Sequence, residues 1–285
     1  MASRKALSTR IRSVKSIQKT TRVMQMISAS KFRTAREGLG HARRYCERVL
    51  NEAKEHSCNN IAVEGASGKL LVIFSSDRGL CGGFNHSVEK SLREYLQNSA
   101  TDEELSFLFI GKKAYDAVKN VIADSGKVLG VVSQPKNLGF YAFKGFFYSL
   151  GIDFTSYKRV SVLYSKFHAI NSQEQVIEDI LTVDDPNDFY GSKDKAEIER
   201  GENLYDPDFA SINTKLWFNS FMGRFYLSLC ESVTCEHFCR MISMESANTN
   251  TKSMLNKLVL DYNRSRQAAI TTDLIEVVSG CEALG

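Results

Sequence analysis

The sequence predicts an α/β protein in which a long antiparallel coiled coil of N- and C-terminal helices brackets an inserted α/β domain. Three observations carry this prediction. The only prolines of the 285-residue chain stand at 135, 186 and 207, so both ends lack the strongest helix breaker. Apolar residues at both ends recur every three or four positions. Between the ends, short apolar runs alternate with stretches of helical period, which is the pattern of strand and helix in turn.

In the N-terminal helix, 1–60, Leu7, Ile11, Val14, Ile17, Met24, Ile27 and Phe32 form a narrow seam, with Thr21 filling the gap. Lysines and arginines take the other faces. Gly38 and Gly40 cost the helix about 1 kcal/mol each relative to Ala, a disturbance that bends it and need not end it. The α/β domain, 68–183, places strands at Leu70 to Phe74, Leu105 to Ile110, Val128 to Val132 and Val160 to Tyr164. Helices near Asn85 to Leu96, Lys112 to Ile122 and Leu138 to Leu150 alternate with them, so the domain is doubly wound and Rossmann-like. Ile177 to Val183 adds an edge strand. Segment 184–207 reads as an exposed acidic linker, since Asp184 to Asp208 holds nine acids against three bases. In the C-terminal helix, 208–285, Asp208 is the cap and Gly223 is the one glycine before Val278. Leu255, Leu258, Tyr262, Ala269, Leu274 and Val277 continue a seam, and at about 1.5 Å per residue such a helix reaches about 105 Å.

Composition narrows the class. With 43% apolar and 25% charged residues and no run of about 18 uncharged apolar residues, the chain has no membrane span. The net charge of +4 is unevenly spread: Met1 to Arg36 holds ten Lys or Arg and no acid, a surface suited to an acidic partner. This basic start resembles an organellar transit peptide, but its apolar pattern runs unbroken into the helix and marks it as mature structure. Seven cysteines, at 46, 58, 81, 230, 235, 239 and 281, show no scaffold-like rhythm and suit reduced thiols. Cys230, Cys235, His237 and Cys239 invite a zinc site. On a helix, however, Cys230 and His237 point one way and Cys235 and Cys239 the other, so one metal cannot collect them.

The stretch "SSDRGLCGGFN", Ser75 to Asn85, follows a strand and precedes a helix, as many phosphate loops do. It lacks the lysine and hydroxyl of a Walker loop, and Gly79, Gly82 and Gly83 miss the dinucleotide spacing. A tight turn braced or capped by Asp77 accounts for it better.

Three segments then carry a family resemblance: "RIRSVKSIQKTTRVMQMISASKFRTA" (Arg10 to Ala35), "SSDRGLCGGFN", and the C-terminal stretch Arg240 to Leu284. They resemble, in order and spacing, the signature segments of the gamma subunit of rotary (F-type) ATP synthases. The resemblance implies a central shaft of a proton-driven enzyme, whose terminal helices thread a ring of alpha and beta subunits and set the state of each beta site. The α/β domain would meet the epsilon subunit and the membrane c-ring at the base. It further implies no catalytic residue, cofactor or metal of its own. It places the chain peripherally on the cytoplasmic face of the bacterial inner membrane, or the matrix face if organellar, without membrane insertion.

By motif position, the partner contacts implied are Lys19, Arg22, Met24, Ser30 and Lys31 on the basic helix, and Asp77, Arg78, Gly79 and Cys81 in the turn. Arg240, Arg266, Gln267 and Thr271 are the corresponding C-terminal residues. Cys235, Phe238 and Cys239 stand where the family usually has small residues, which implies altered helix packing there. The linker lacks cysteine, so a dithiol switch is not expected. The rival reading, a basic coiled-coil nucleic-acid binder, is disfavoured because only Phe32 offers a stacking ring among the bases.

Overall fold

The computed structural model describes residues 4–55, 67–98, 104–122, 125–169, 172–182 and 209–284. The predicted linker 184–207 lies outside the described residues. Among the described residues, five helices and five strands follow in the order α1 (Arg4–Glu55), β1 (Lys69–Phe74), α2 (Phe84–Asn98), β2 (Leu105–Ile110), α3 (Lys112–Ile122), β3 (Lys127–Val132), α4 (Phe140–Ser149), β4 (Arg159–Ala169), β5 (Ser172–Thr182) and α5 (Phe209–Leu284). A short 3-10 turn, Phe154–Ser156, precedes β4. The described residues divide between two compact units, one drawn from Met1–Ala29 and Arg240–Gly285, the other from Ser30–Cys239.

In the second unit the sheet order is β3-β2-β1-β4-β5, parallel throughout except for the antiparallel β4–β5 pair. The strands read as continuous apolar runs because both sheet faces are covered. Leu71, Ile73, Phe107 and Phe109 pack on one side with Val88 and Leu92 of α2 and Ala114 and Val118 of α3. Leu70, Val72, Phe74, Val160 and Val162 pack on the other with Leu39 and Ala42 of α1, Phe143 and Phe147 of α4, and Phe221, Phe225 and Leu229 of α5. The unit is therefore three-layered, with α1 and α5 forming part of one layer.

Within this unit α1 and α5 run antiparallel. Phe32 meets Phe238 with ring centroids 5.3 Å apart, Arg43 bonds Glu231, and Gly223 lies against Tyr45 and Cys46. A β-carbon at Gly223 would sit 3.6 Å from the Tyr45 ring and 3.9 Å from Cys46 Cα, so a small residue there lets the helices approach closely. Gly38 and Gly40 interrupt nothing: α1 is one helix of 52 residues. At 76 residues, α5 is about 114 Å long. Among the described residues no helix is long and apolar enough to cross a membrane.

The seams correct the sequence reading. In the first unit, Leu7, Ile11, Val14, Gln18, Thr21, Gln25 and Ser28 are buried or half-buried in strict steps of four and three. So are Met244, Asn248, Thr251, Leu255, Leu258, Tyr262, Ser265 and Ala269. This is the 3.5-residue repeat of a left-handed coiled coil, built largely from small and polar side chains. Ile17 and Ile27, expected in the seam, are 52% exposed each because they fall outside that repeat. Leu274 and Val277 are exposed as well: in an antiparallel pair the end of α5 lies opposite the start of α1, where the partner helix runs out. Every side chain from Ile270 to Glu282 is exposed.

Candidate functional site

The helix surface and the turn after β1 hold the residues singled out from the sequence. On α1, Lys19, Arg22, Ser30 and Lys31 are exposed and Met24 is half-buried. At 100° per residue, Arg12, Lys15, Lys19 and Arg22 line up along one flank of the seam. Ile17, Met24 and Ile27 fall on the opposite flank. One flank is thus mainly basic, with exposed Met26 among the bases, and the other is mainly apolar but also carries Lys31. On α5, Arg266, Gln267 and Thr271 are exposed, with the Thr271 hydroxyl donating to the Gln267 carbonyl at 3.0 Å, and Arg240 is half-buried.

The turn after β1 is braced from within. The Ser76 amide and hydroxyl both donate to Asn85 Oδ1, at 3.2 and 2.9 Å, and Asn85 Nδ2 reaches Cys81 Sγ at 3.1 Å. Asp77 is a brace, as the sequence suggested: its Oδ2 accepts from the Gln134 amide at 3.1 Å. Arg78 and Gly79 face outward, whereas Cys81 is 2% exposed and belongs to the core rather than to a surface. The residue that sequence reasoning missed is Leu80. It is exposed and holds φ of +64°, a left-handed conformation uncommon for a residue with a β-carbon.

This turn sits where the sheet changes direction, since β2 and β4 flank β1 on opposite sides. In open α/β sheets that crevice is the usual ligand position. Here Gln134 Nε2 bridges the Ser75 carbonyl at the end of β1, 2.6 Å away, and Glu236 Oε2 of α5, 3.0 Å away. A buried carboxylate beside the strand end opposes phosphate binding. Gly111, at φ +105°, brings the start of α3 against the Ser75 backbone, and any side chain there would collide with it. The crevice is filled by the protein's own polar groups.

The cysteine cluster is similarly committed to packing. Burial pushes the Cys46 thiol up to about 11 and the Cys230 thiol up to about 12, and raises Cys235 as well. Cys235 Sγ donates to the Ser165 carbonyl at 3.4 Å, and Cys239 Sγ lies 3.0 Å from Gln173 Oε1. Among the described residues no three His, Cys, Asp or Glu side chains gather as a metal would require.

Two further features carried a sequence signal that was not used. Glu231 and Glu236 lie in the stretch Leu227 to Phe238, which has no base but His237, and both are buried. A buried acid in such a stretch needs a partner. Glu231 finds Arg43, at 3.1 Å from Nε and 2.7 Å from Nη2.

A braced α/β domain and a helix pair with unlike flanks define a scaffold that makes contacts through its surfaces. A family model described as ATP synthase matches residues 3–284. The ATP synthase gamma chain of Ehrlichia canis (strain Jake) is 40% identical, covering 100% of both chains. Among solved structures, a chain of the Euglena gracilis mitochondrial ATP synthase superposes with a TM-score of 0.69 at 16% identity, covering 99% of this chain and 94% of that one. A chain of the Tetrahymena thermophila mitochondrial ATP synthase central stalk and c-ring gives 0.61 at 20% identity, covering 80% and 99%. The chain belongs to the family of ATP synthase gamma chains.

Proposed function

We propose that this chain is the central shaft of a rotary ATP synthase, turning inside a ring of alpha and beta subunits and contributing no catalytic residue of its own. Of the helices expected at 1–60 and 208–285, the parts outside the α/β unit, up to Ala29 and from Arg240 onward, are those that enter the ring. The domain of 68–183 forms the base that meets the epsilon subunit and the c-ring, and 184–207 is the connection between base and helix. The chain is then peripheral to the membrane, on the cytoplasmic or matrix face.

The observation that carries this reading is the pair of unlike flanks on α1. A shaft that holds three surrounding sites in three states must present a different surface to each, and a mainly basic flank opposite a mainly apolar one supplies such asymmetry. Moving a two-state equilibrium from 1:99 to 99:1 takes about 5.5 kcal/mol of differential interaction. An exposed ion pair contributes at most about 1 kcal/mol. Lys19, Arg22, Ser30 and Lys31 must therefore act together with Met24, with Asp77, Arg78, Gly79 and Leu80 of the turn, and with Arg240, Arg266, Gln267 and Thr271. Cys81 supports the turn from inside.

An affinity tag on this chain should copurify two larger subunits in a stable assembly. Arg22→Ala or Lys31→Ala alone should leave assembly intact and lower ATP-driven ion pumping modestly. Loss of all assembly from either change would contradict the distributed surface, and a salt-sensitive RNA complex in place of the ring would overturn the shaft.

A further inference from the structure

The α5 segment inside the second unit is tied to its surroundings by directional bonds from several sides. Arg224 Nη2 donates to Glu178 Oε1 and to the Asp179 carbonyl, both at 2.7 Å, and Nη1 donates to the Ile180 carbonyl at 3.2 Å. Two turns along, Glu231 accepts from Arg43 of α1, whose Nη2 also donates to the Phe167 carbonyl of β4. Glu236 accepts from Gln134, itself fixed to the end of β1. The Tyr226 hydroxyl donates to the Leu138 carbonyl at 2.7 Å. By helix geometry Arg224 and Glu231 share a face, Glu236 lies about 140° round from Glu231, and Tyr226 about 200° round from Arg224. The helix is held on three sides.

Interdigitated side chains such as Phe221 and Phe225 seat α5 on the sheet, and hydrogen bonds add directional ties to that seat. A side chain about 6 Å from the helix axis moves about 3 Å when the helix turns by about 30°, which breaks a hydrogen bond outright. The four ties therefore fix the angle of α5 against the sheet, and three of them involve a charged group and are correspondingly strong. Among the described residues Glu231 Oε2 and the Ser232 hydroxyl are buried with no hydrogen-bond partner, a cost that burial of an apolar helix would avoid.

We propose that Arg43, Arg224, Gln134 and Tyr226 are the positioning residues that carry torque between the α/β domain and the helix pair. Arg43 binds both helices to β4, Arg224 binds α5 to the edge strand, and Gln134 binds α5 to the turn after β1. This inference rests on the shaft reading.

The test uses membranes bearing the assembled enzyme, with ATP hydrolysis, ATP-driven proton uptake into inverted vesicles and thermal stability of the complex measured together. The triple variant Arg43→Ala/Arg224→Ala/Gln134→Ala should hydrolyse ATP within about twofold of normal while uptake per ATP falls about tenfold. The conservative set Arg43→Lys, Arg224→Lys and Gln134→Met, combined, should assemble normally and lose about threefold in uptake per ATP. A conservative set that assembles and keeps the normal ratio overturns the inference, whatever the alanine set does. So does a decline of hydrolysis, uptake and assembly in equal proportion, which a merely structural role would give. Absent uptake in wild-type membranes would sink the shaft reading itself; normal wild-type uptake with an unchanged variant ratio sinks only this inference.

Discussion

Phe225 is the position at which α5 meets α4 and the sheet on one face of the second unit, and its replacement by Ala gives the sharpest test of that packing. The side chain is 0% exposed and its ring lies 5.5 Å from Phe74 of β1, 5.9 and 5.4 Å from Phe143 and Phe147 of α4, and 6.0 Å from Phe154. Truncating a buried Phe to Ala costs about 3–5 kcal/mol through lost transfer energy and the cavity left behind. The edge-to-face geometry with Phe74, interplanar angle 79°, and with Phe147, 82°, places the change toward the upper end. At about 2–4 °C per kcal/mol for a chain of this size, the melting temperature should fall by about 6–20 °C. Thermal unfolding followed by circular dichroism reads it, with Tyr141→Ala as control, since Tyr141 is 90% exposed on α4 and should shift stability by no more than about 0.5 kcal/mol. A drop below about 2 °C for Phe225→Ala, or an equal drop for both variants, would refute the packing of α4 and α5 on that face of the sheet.

Two other expectations concern titratable groups. Burial acts to raise the Glu178 carboxyl, but the Arg224 guanidinium and the Tyr164 hydroxyl outweigh it and hold the group below its usual 4.5. Its stabilising contribution is thus complete above that value and is lost as pH falls through the folded-state pKa, so Glu178→Gln should flatten the acid limb of the melting curve and leave neutral pH behaviour nearly level. Alkylation at pH 8 followed by peptide mass mapping should label exposed Cys281 promptly and spare buried Cys46, Cys230 and Cys235 until denaturant is added, because raised thiol pKa values and burial both suppress attack. Rapid labelling of Cys230 in the native chain would contradict the burial described.

The parts of the fold that were legible in the sequence are those where burial and apolarity coincide. Leu70 to Phe74 and Leu105 to Ile110 are strands covered on both faces, so their composition alone announces them. The helix seam was harder, because its positions hold Gln18, Thr21, Gln25 and Ser28 while Ile17 and Ile27 face outward. A search for apolar spacing finds the repeat at Leu7, Ile11, Val14, Leu255 and Leu258 but passes over its polar members and takes in Ile17 and Ile27, which lie outside it. In the turn after β1, Cys81, expected at a partner contact, lies in the core, while Leu80, in the left-handed conformation, is exposed. The partners of Glu231 and Glu236 depend on Arg43 and Gln134, remote in the chain, and no local pattern links them.

The margin of the sheet at β5 has a bearing on how this chain behaves when made alone. Ile180 is the extra residue of a bulge between Val160 and Ser161 on the neighbouring strand, and Arg224 takes up its carbonyl. An unpaired strand margin ordinarily invites a second molecule to add its own strand. With the Arg224 guanidinium seated on the Asp179 and Ile180 carbonyls, an added strand would have to displace those bonds, so this end of the margin is a poor template for one.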